Sequence, residues 1–591
     1  MGKLLRTQFR THSAAQFKES LTEDSNSIYY VAQGKHIPPG TVTAPEAAMT
    51  NSQFQTWDEM VLGKHVTNDD AVHMIKKIEW ANNNPYIAYD DQTDLPDTDY
   101  FVVTSEGSNY NVWKCLANNQ SSGNSTSKPL YSDVSSSLNT LYLKAADGYQ
   151  WRFMYSITNA NYTKFTTSGH IPVYAHANAS GNAVAGSIDA YVVTNSGNNY
   201  NEFSNGTFIS VTNSTVATVN SSAFTMSSNN DFYNNCGIYI ASGTGSGQLR
   251  KITDFAVSGS TRTITVGTAW DTNPSTGDSV WEITPYVTVA GDGSGATARA
   301  MINTSSNTIA NVEVVTRGSG YSWAASTVEA NNMAAANVAA VRGIMSPPHG
   351  HANNVVYELD AYNIGISVDF ANNEASQIPT DNDFSSIALV KDILYANVQL
   401  NGNTSGTLTV GEKLTQSNTG AYGYVIAGNT SQILVSNVYG AFVVGNSTNF
   451  ANVSGANSGA TMNVQSFFVN TSEGVRNSFE TFDQRTVFSH NRTSSNEFTE
   501  DEKVTQADTN ANAYVHFSNS SMLAATTVRG TFNVGMDNVV TGATSTATSR
   551  ITAQTNPDLV KNSGEVLYLE EISAVSRSNT TTETVRLVIT F

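Results

Sequence analysis

Val585, Leu587, Ile589 and Phe591 alternate with polar or smaller residues in VRLVITF, which predicts a strand with one wholly apolar face. The segment SGEVLYLEEISAV just before it reads as a second strand. Strands of this kind need a sheet that already exists, so the first third of the chain is expected to build that sheet and the middle to interrupt it. In the first third, SAAQFKESL offers Ser13 as N-cap with Gln16 three residues later, and TWDEM pairs Thr56 with Glu59 in the same way. Both are capping-box patterns that predict helix starts. IYYVAQGK predicts a strand ending at Gly34. Ala71, Met74, Ile75 and Ile78 fall at i, i+3, i+4 and i+7, which predicts a helix that Pro85 terminates. From Tyr100 onward, YFVVT, YNVWKCLA and GYQWRFMYSI are aromatic and β-branched runs between Asn/Ser/Gly turns, hence strands.

From 178 to 342 short β runs alternate with turns and no helical period appears. IDAYVVTNSGNNY, ending at Tyr200, resembles IANVEVVTRGSGY, ending at Tyr321. Pro347 and Pro348 mark a break, after which YNIGISVDF and FSSIALV restore apolar strands. A stronger repeat occupies 397–555. GEKLTQSNTGAYGYV begins at Gly411 and DEKVTQADTNANAYV at Asp501. Glu412/Glu502, Gln416/Gln506, Ala421/Ala511, Tyr424/Tyr514, Gly440/Gly530, Phe442/Phe532 and Gly445/Gly535 are all 90 residues apart. Two copies predict a pair of small β modules, too few for a solenoid.

Composition narrows the function classes. A chain of 591 residues exceeds one core, so several domains are expected. Only 13% of residues are charged, yet 26 Tyr and 24 Phe supply cores, so the chain does not read as disordered. The net charge of −19 and the lack of a basic stripe argue against nucleic acid or an anionic membrane as direct partners. Lys3, Arg6 and Arg10 read as a solvated face. Cys115 and Cys236 do not make a disulfide framework, so folding in a reducing cytosol is expected. Neither a signal peptide nor a membrane span is expected, for want of a suitable apolar run.

Candidate chemistry is sparse. His349 and His351 in PPHGHANN sit at i, i+2 without a carboxylate or thiol at ligand spacing, so a loop role outweighs a metal site. Asp90, Asp91, Asp94, Asp97 and Asp99 lack the glycine and terminal Glu of a calcium loop and read as a solvated turn. GDGSGA at Gly291 has no following Lys or helix, so a tight turn explains its glycines better than a phosphate site. Glu412 and Glu502, copied in both modules, read as structural. Trp57, Trp80, Trp113 and Trp151 read as core, whereas Trp281 and Trp323 leave a sugar-platform role open. No catalytic, cofactor-binding or metal-ligating residue is assigned, and an interaction protein is favoured over an enzyme.

LLRTQFRTHSAAQFKES, IYYVAQGK, TWDEM, YNVWKCL, DGYQWRFMYSI and the late NSGEVLYLEEI and VRLVITF follow one another in an order that resembles the baseplate wedge protein of contractile-tailed, T-even-like bacteriophages, the gene-eight product family. The resemblance covers about 1–178, 343–396 and 556–591. It implies a mainly β fold: a layered β-sandwich core with a few helices in side loops, interrupted by two inserted all-β regions. The expected organisation is core at 1–177, an inserted β domain at 178–342, core continuation at 343–396, an inserted region with two repeats at 397–555, and closing strands at 556–591. The inserts are similar to β modules of marine cyanophage structural proteins. The resemblance also implies a homodimer that contacts other wedge subunits in the virion tail baseplate, assembled in the host cytoplasm and without cofactors. A carbohydrate- or receptor-binding adhesin, with the inserts touching the host surface, is the alternative.

Overall fold

The computed structural model describes the chain except residues 1–5, 22–27, 37–47, 94, 96–97, 119–122, 136–140, 201–203, 221–225, 330–336, 372–382, 394–397, 441, 446–450, 470–480, 536–537, 560, 563, 577–579 and 581. Strand accounts for 52% and helix for 9%, so the fold is mainly β with few helices. Two compact units form. One comprises Met1–Ala14, His73–Asn363 and Thr590–Phe591; the other comprises Ala15–Val72 and Ile364–Ile589. The stretches expected to make one core therefore contribute to both units.

In the second unit, a five-stranded sheet has the order Thr481–Asp483, Met60–His65, Tyr29–Gly34, Asp383–Lys391, Glu565–Ser576. Leu389 pairs with Val31 on one side and Tyr568 on the other. The late strand is thus the edge of a sheet begun by residues 29–65. Tyr30 and Ala32, and Ala388 and Val390, project at spacing two into a core shared with Trp57 and Met60. The last strand, Glu583–Thr590, lies beside Asn363–Phe370 and buries Val585 and Leu587 while Arg586 stays exposed.

Each repeat of the second unit closes into a six-stranded barrel. The first has the ring order Val398–Ser405, Gln432–Tyr439, Tyr422–Gly428, Lys413–Gln416, Asn452–Gly455, Thr461–Val469. The second runs Thr486–Arg492, Met522–Arg529, Asn512–Ser518, Lys503–Gln506, Val539–Gly542, Thr548–Thr555, the same connectivity. Closure removes the free edges that would otherwise invite aggregation. Between the barrels, Thr481–Asp483 returns to pair with Met60–His65, so the region expected as one insert is two, tied to the five-stranded sheet at its midpoint.

The first unit holds a four-stranded sheet in the order Phe101–Glu106, Asn109–Asn118, Tyr149–Thr158, Tyr142–Lys144. Trp113, Trp151, Phe153 and Tyr155 are fully buried in its core. The inserted region starts and stops on adjacent strands, since Ile188–Asn195 pairs antiparallel with Ala340–Met345. Within it, Ser204–Val211, Val216–Asn220, Thr261–Val266, Leu249–Ser258, Cys236–Ser242 and Val280–Gly291 form a ring that closes through pairing of the first with the last. Val280–Gly291 continues into further strands, Ser294–Asn303, Thr308–Ser319 and Ala324–Glu329. Backbone bonds from Ile309 to Ser196 and from Gly320 to Ala185 join Thr308–Ser319 to the flanks of Ile188–Asn195. The look-alike sequences around Tyr200 and Tyr321 thus supply two neighbouring elements of the same region.

Three local expectations are corrected. Ala71–Lys76 is a strand, not a helix, and its Met74–Lys76 stretch pairs with His170–Pro172 in the first unit. Its first five residues, His73 among them, are all buried, so apolar side chains on both faces of a strand imitated a helical period. The helices that were expected to start at Ser13 and Thr56 start earlier, as Thr7–Ser20 and Thr50–Glu59. Ser13 and Thr56 lie inside them and donate their hydroxyls four residues back, to the carbonyls of Phe9 and Ser52.

Candidate functional site

Lys114 and Arg152 are directly opposite each other on neighbouring strands and both are fully buried. Two cations so placed repel unless carboxylates intervene. Glu358, at the end of the short helix Val355–Glu358, supplies one: its Oε1 lies 2.9 Å from Lys114 Nζ and 2.5 Å from His351 Nδ1, and its Oε2 accepts from the Ala352 amide at 2.6 Å. The inserted region supplies the other. Asp189, on Ile188–Asn195, lies 3.3 Å from His351 Nε2 and 3.2 Å from Arg317 Nε, and accepts from the Ser187 hydroxyl at 2.9 Å. His351 is the link, a buried imidazole with one carboxylate at each nitrogen. Aromatic faces cover the cations: Lys114 sits 3.4 Å from the Tyr89 ring centre, and Arg152 and Arg317 lie over Tyr142.

Burial would raise the Glu358 pKa, but Lys114 and His351 outweigh it and hold the group down at about 2. Asp189 is held below the usual carboxylate range in the same manner, with His351, Arg317 and Ser187 offsetting its burial. Burial pulls the Lys114 ammonium down against the attraction of Glu358, so the carboxylate, with three donors, is the more firmly ionised partner. Beside the network, Leu116, Ala190 and Ile344 form a small apolar seam between the aromatic sheet and the two root strands of the insert. Arg342, on the outgoing root strand, makes ion pairs of 2.7 and 2.6 Å with Asp90 and Asp91. The ensemble fastens an inserted domain to its host sheet.

The two barrels contain a second constellation, present twice. Glu412, buried, accepts from the amides of Thr409, Asn457 and Ser458 and from the Ser458 hydroxyl, at 2.6–2.9 Å. Glu502 accepts from the amides of Thr499, Thr544 and Ser545 and from the Ser545 hydroxyl, at 2.6–2.9 Å. These bonds overcome the effect of burial and lower both carboxylates, Glu412 to about 2. Gln416 and Gln506 each bridge to the loop that follows the fourth strand of their barrel, through Val443 and Asn533 respectively. Every carboxylate lone pair is engaged by its own fold, which is a clamp and leaves nothing for a substrate.

The remaining candidates separate. His349 is exposed while His351 is buried, so they share no ligand. Among the described residues no group of three or more His, Cys, Asp or Glu is arranged to hold a metal ion. Asp99 pairs with Lys76 at 3.3 Å; Lys3, Asp94 and Asp97 lie outside the described residues. Asp292 of the Gly291 turn accepts from the amides of Ser322 and Trp323. Trp57, Trp113 and Trp151 are buried, and Trp80 is partly buried with its indole N–H donated to Ser125. Trp281 is fully buried, but Trp323 is 55% exposed. Cys115 and Cys236 are free and buried. The charge network was missed from the sequence, though Lys114 and Arg152 stood out as lone charges inside the apolar runs YNVWKCLA and GYQWRFMYSI. No protein-family model matches the chain, and no curated protein matches it.

Proposed function

We propose that this protein is a structural subunit of a contractile phage tail baseplate wedge, which dimerises, bridges neighbouring wedge proteins and uses its inserted β modules to brace or decorate the baseplate. The observation that carries the reading is the five-stranded sheet in which Tyr29–Gly34, Met60–His65, Asp383–Lys391 and Glu565–Ser576 meet. Those strands come from the stretches whose motifs resemble the wedge family, and the barrels leave from the sheet's connections, where insertion is best tolerated. The buried clamps and the root network suit a load-bearing part, because each satisfies its own charges internally. Proteomics of purified virions and cryo-EM of the tail test the reading. The chain is expected in the baseplate, and as a dimer in light scattering of the purified protein. Its absence from purified virions overturns the proposal.

A further inference from the structure

The two barrels of the second unit share one connectivity but are attached differently. Val398, Leu400 and Ile433 of the first barrel belong to one continuous apolar core with Tyr30 and Val390 of the five-stranded sheet and Trp57 of the helix Thr50–Glu59. The second barrel keeps a core of its own, around Phe488, Val504 and Ile551. Charges join it to the sheet and helix instead. Lys35, buried just after Tyr29–Gly34, lies 2.6 Å from Asp383 of the sheet and 2.6 Å from Asp501 of the barrel. Asp58, near the end of the helix, pairs with Arg529 of the barrel and with Lys561 beyond it, and its carbonyl accepts from the Thr527 hydroxyl at 3.2 Å. The chain enters and leaves the barrel at one place. Asp558 donates its amide to the Asp483 carbonyl at 3.0 Å, and its carboxylate accepts from the Asp483 amide at 2.8 Å. A polar interface on a single root leaves a module able to move as a body once the charges let go.

A buried imidazole sits among those charges. His516, on Asn512–Ser518, has its Nδ1 3.4 Å from Arg485 Nη1, and Lys35 is the other cation that faces it. The carboxylates nearby are committed to those cations: Asp383 and Asp501 to Lys35, and Asp483 to Arg485 at 2.9 and 2.7 Å. Glu500 faces Lys35, Asp383 and Asp501. The corresponding residue of the first barrel, 90 positions earlier, is Ile426, which carries no proton to gain. We infer that the second barrel is a latched module released by acid: protonation of His516 against Lys35 and Arg485 frees the barrel from the sheet about the Asp483–Asp558 root, with its own fold intact. Burial, then Arg485 and Lys35, hold the docked imidazole down at about 3, against 6.5 for a free one. The released barrel therefore takes up the proton first. Docking is complete above about 6.5, and each pH unit below that favours release by up to about tenfold until about 3. The latch stands independently of the wedge reading.

The test follows the full chain by hydrogen exchange, corrected for intrinsic rates, at about pH 7.5 and about pH 4.5. At the lower pH the segments around Lys35, Asp383 and Thr527–Arg529 should lose protection together, by up to about a hundredfold, while the core amides of Phe488, Val504 and Ile551 stay protected. His516→Gln, neutral at both pH values, should keep the interface protected at the lower one. Asp58→Asn, which removes one grip without touching the imidazole, should release the barrel at a higher pH than the parent. Interface protection that does not change with pH overturns the inference, and so does an equal loss in His516→Gln. Loss of core protection together with the interface also overturns it, because the barrel would then be unfolding. An Asp58→Asn chain that releases at the parent's pH overturns the role of the ionic grips.

Discussion

At the scale of single residues, the chain places charges where solvent cannot reach them and compensates each locally. Glu358 is the sharpest case. Removing one partner of a buried pair strands the other, so Lys114→Met should destabilise the first unit by about 3–5 kcal/mol, read by urea unfolding. Lys114→Met combined with Glu358→Gln should cost less than the sum of the single changes, and strict additivity would show that the pair does not interact. Acid should act in two windows. Glu358 has its pKa lowered from 4.5 to about 2, so the unfolded chain takes up its proton first. Its contribution is complete above about 4.5 and is lost as pH falls through about 2. His516, in the second barrel, is also depressed, from 6.5 to about 3, by burial first and then by Arg485 and Lys35. It stays neutral while the unfolded chain protonates, so stability should fall between about pH 6.5 and 3, by up to about 1.4 kcal/mol per pH unit. His516→Gln should flatten that window and leave the Glu358 window in place. An unchanged slope between pH 6.5 and 3 would show that another group carries it.

At the scale of elements, the clamp in each barrel joins one short strand to the hairpin that follows two strands later. A Cβ at Gly455 would lie 2.6 Å from Glu412, and one at Gly542 would lie 2.6 Å from Glu502, so strand and clamp were fitted together. Glu412→Ala and Glu502→Ala leave three backbone amides without a carboxylate, a loss of about 2–4 kcal/mol each. Hydrogen exchange resolved by barrel should localise each loss to its own module; if both barrels loosened together in either variant, the modules would not be independent. Much of this level was legible beforehand. Aromatic and β-branched runs marked the strands because a strand's side chains declare its environment every second residue. Residues 71–76 misled because a strand buried on both faces has no alternation to read. The helix starts misled because Ser13 and Thr56 satisfy their hydroxyls within the helix as readily as at its cap. Barrel closure was hidden, since first-to-fourth and first-to-sixth strand pairings leave no local trace. The repeat itself faded before its end: Glu412 reaches Ser458 but Glu502 reaches Ser545, so the constant offset of 90 shortens to 87 where the clamp closes.

At the scale of the whole molecule, the chain is a nested set of insertions, and the insertion in the first unit makes a demanding test of that description. Ser187 donates its amide to the Ser346 hydroxyl at 3.1 Å, and Ser346 donates its amide back to the Ser187 carbonyl at 2.8 Å. The two ends of the inserted region are therefore already as close as the two sides of a hairpin, and a short turn can join them without moving either. The region carries its own core, with Trp281, Tyr200, Phe208 and Ile238 buried inside it, and the aromatic sheet carries a separate one around Trp113 and Trp151. Replacing Ile188–Met345 by an Asn-Gly turn should leave the aromatic sheet folded, with the near-ultraviolet circular dichroism of Trp113 and Trp151 retained. It should not leave that sheet unscathed. Asp189 and Arg317 depart with the insert, which strips His351 of one of its two carboxylates and uncovers Leu116. The shortened chain should thus unfold at lower urea than the parent and associate through the bared seam, and Leu116→Ser should suppress that association while Lys114 and Glu358 remain paired. Residues 187–346 produced alone should fold with Trp281 shielded from a soluble quencher and Trp323 open to it. If instead the excised chain lost its aromatic dichroism altogether, the root network would be part of the sheet's own folding nucleus, and the picture of a passenger fastened to a finished host would fail.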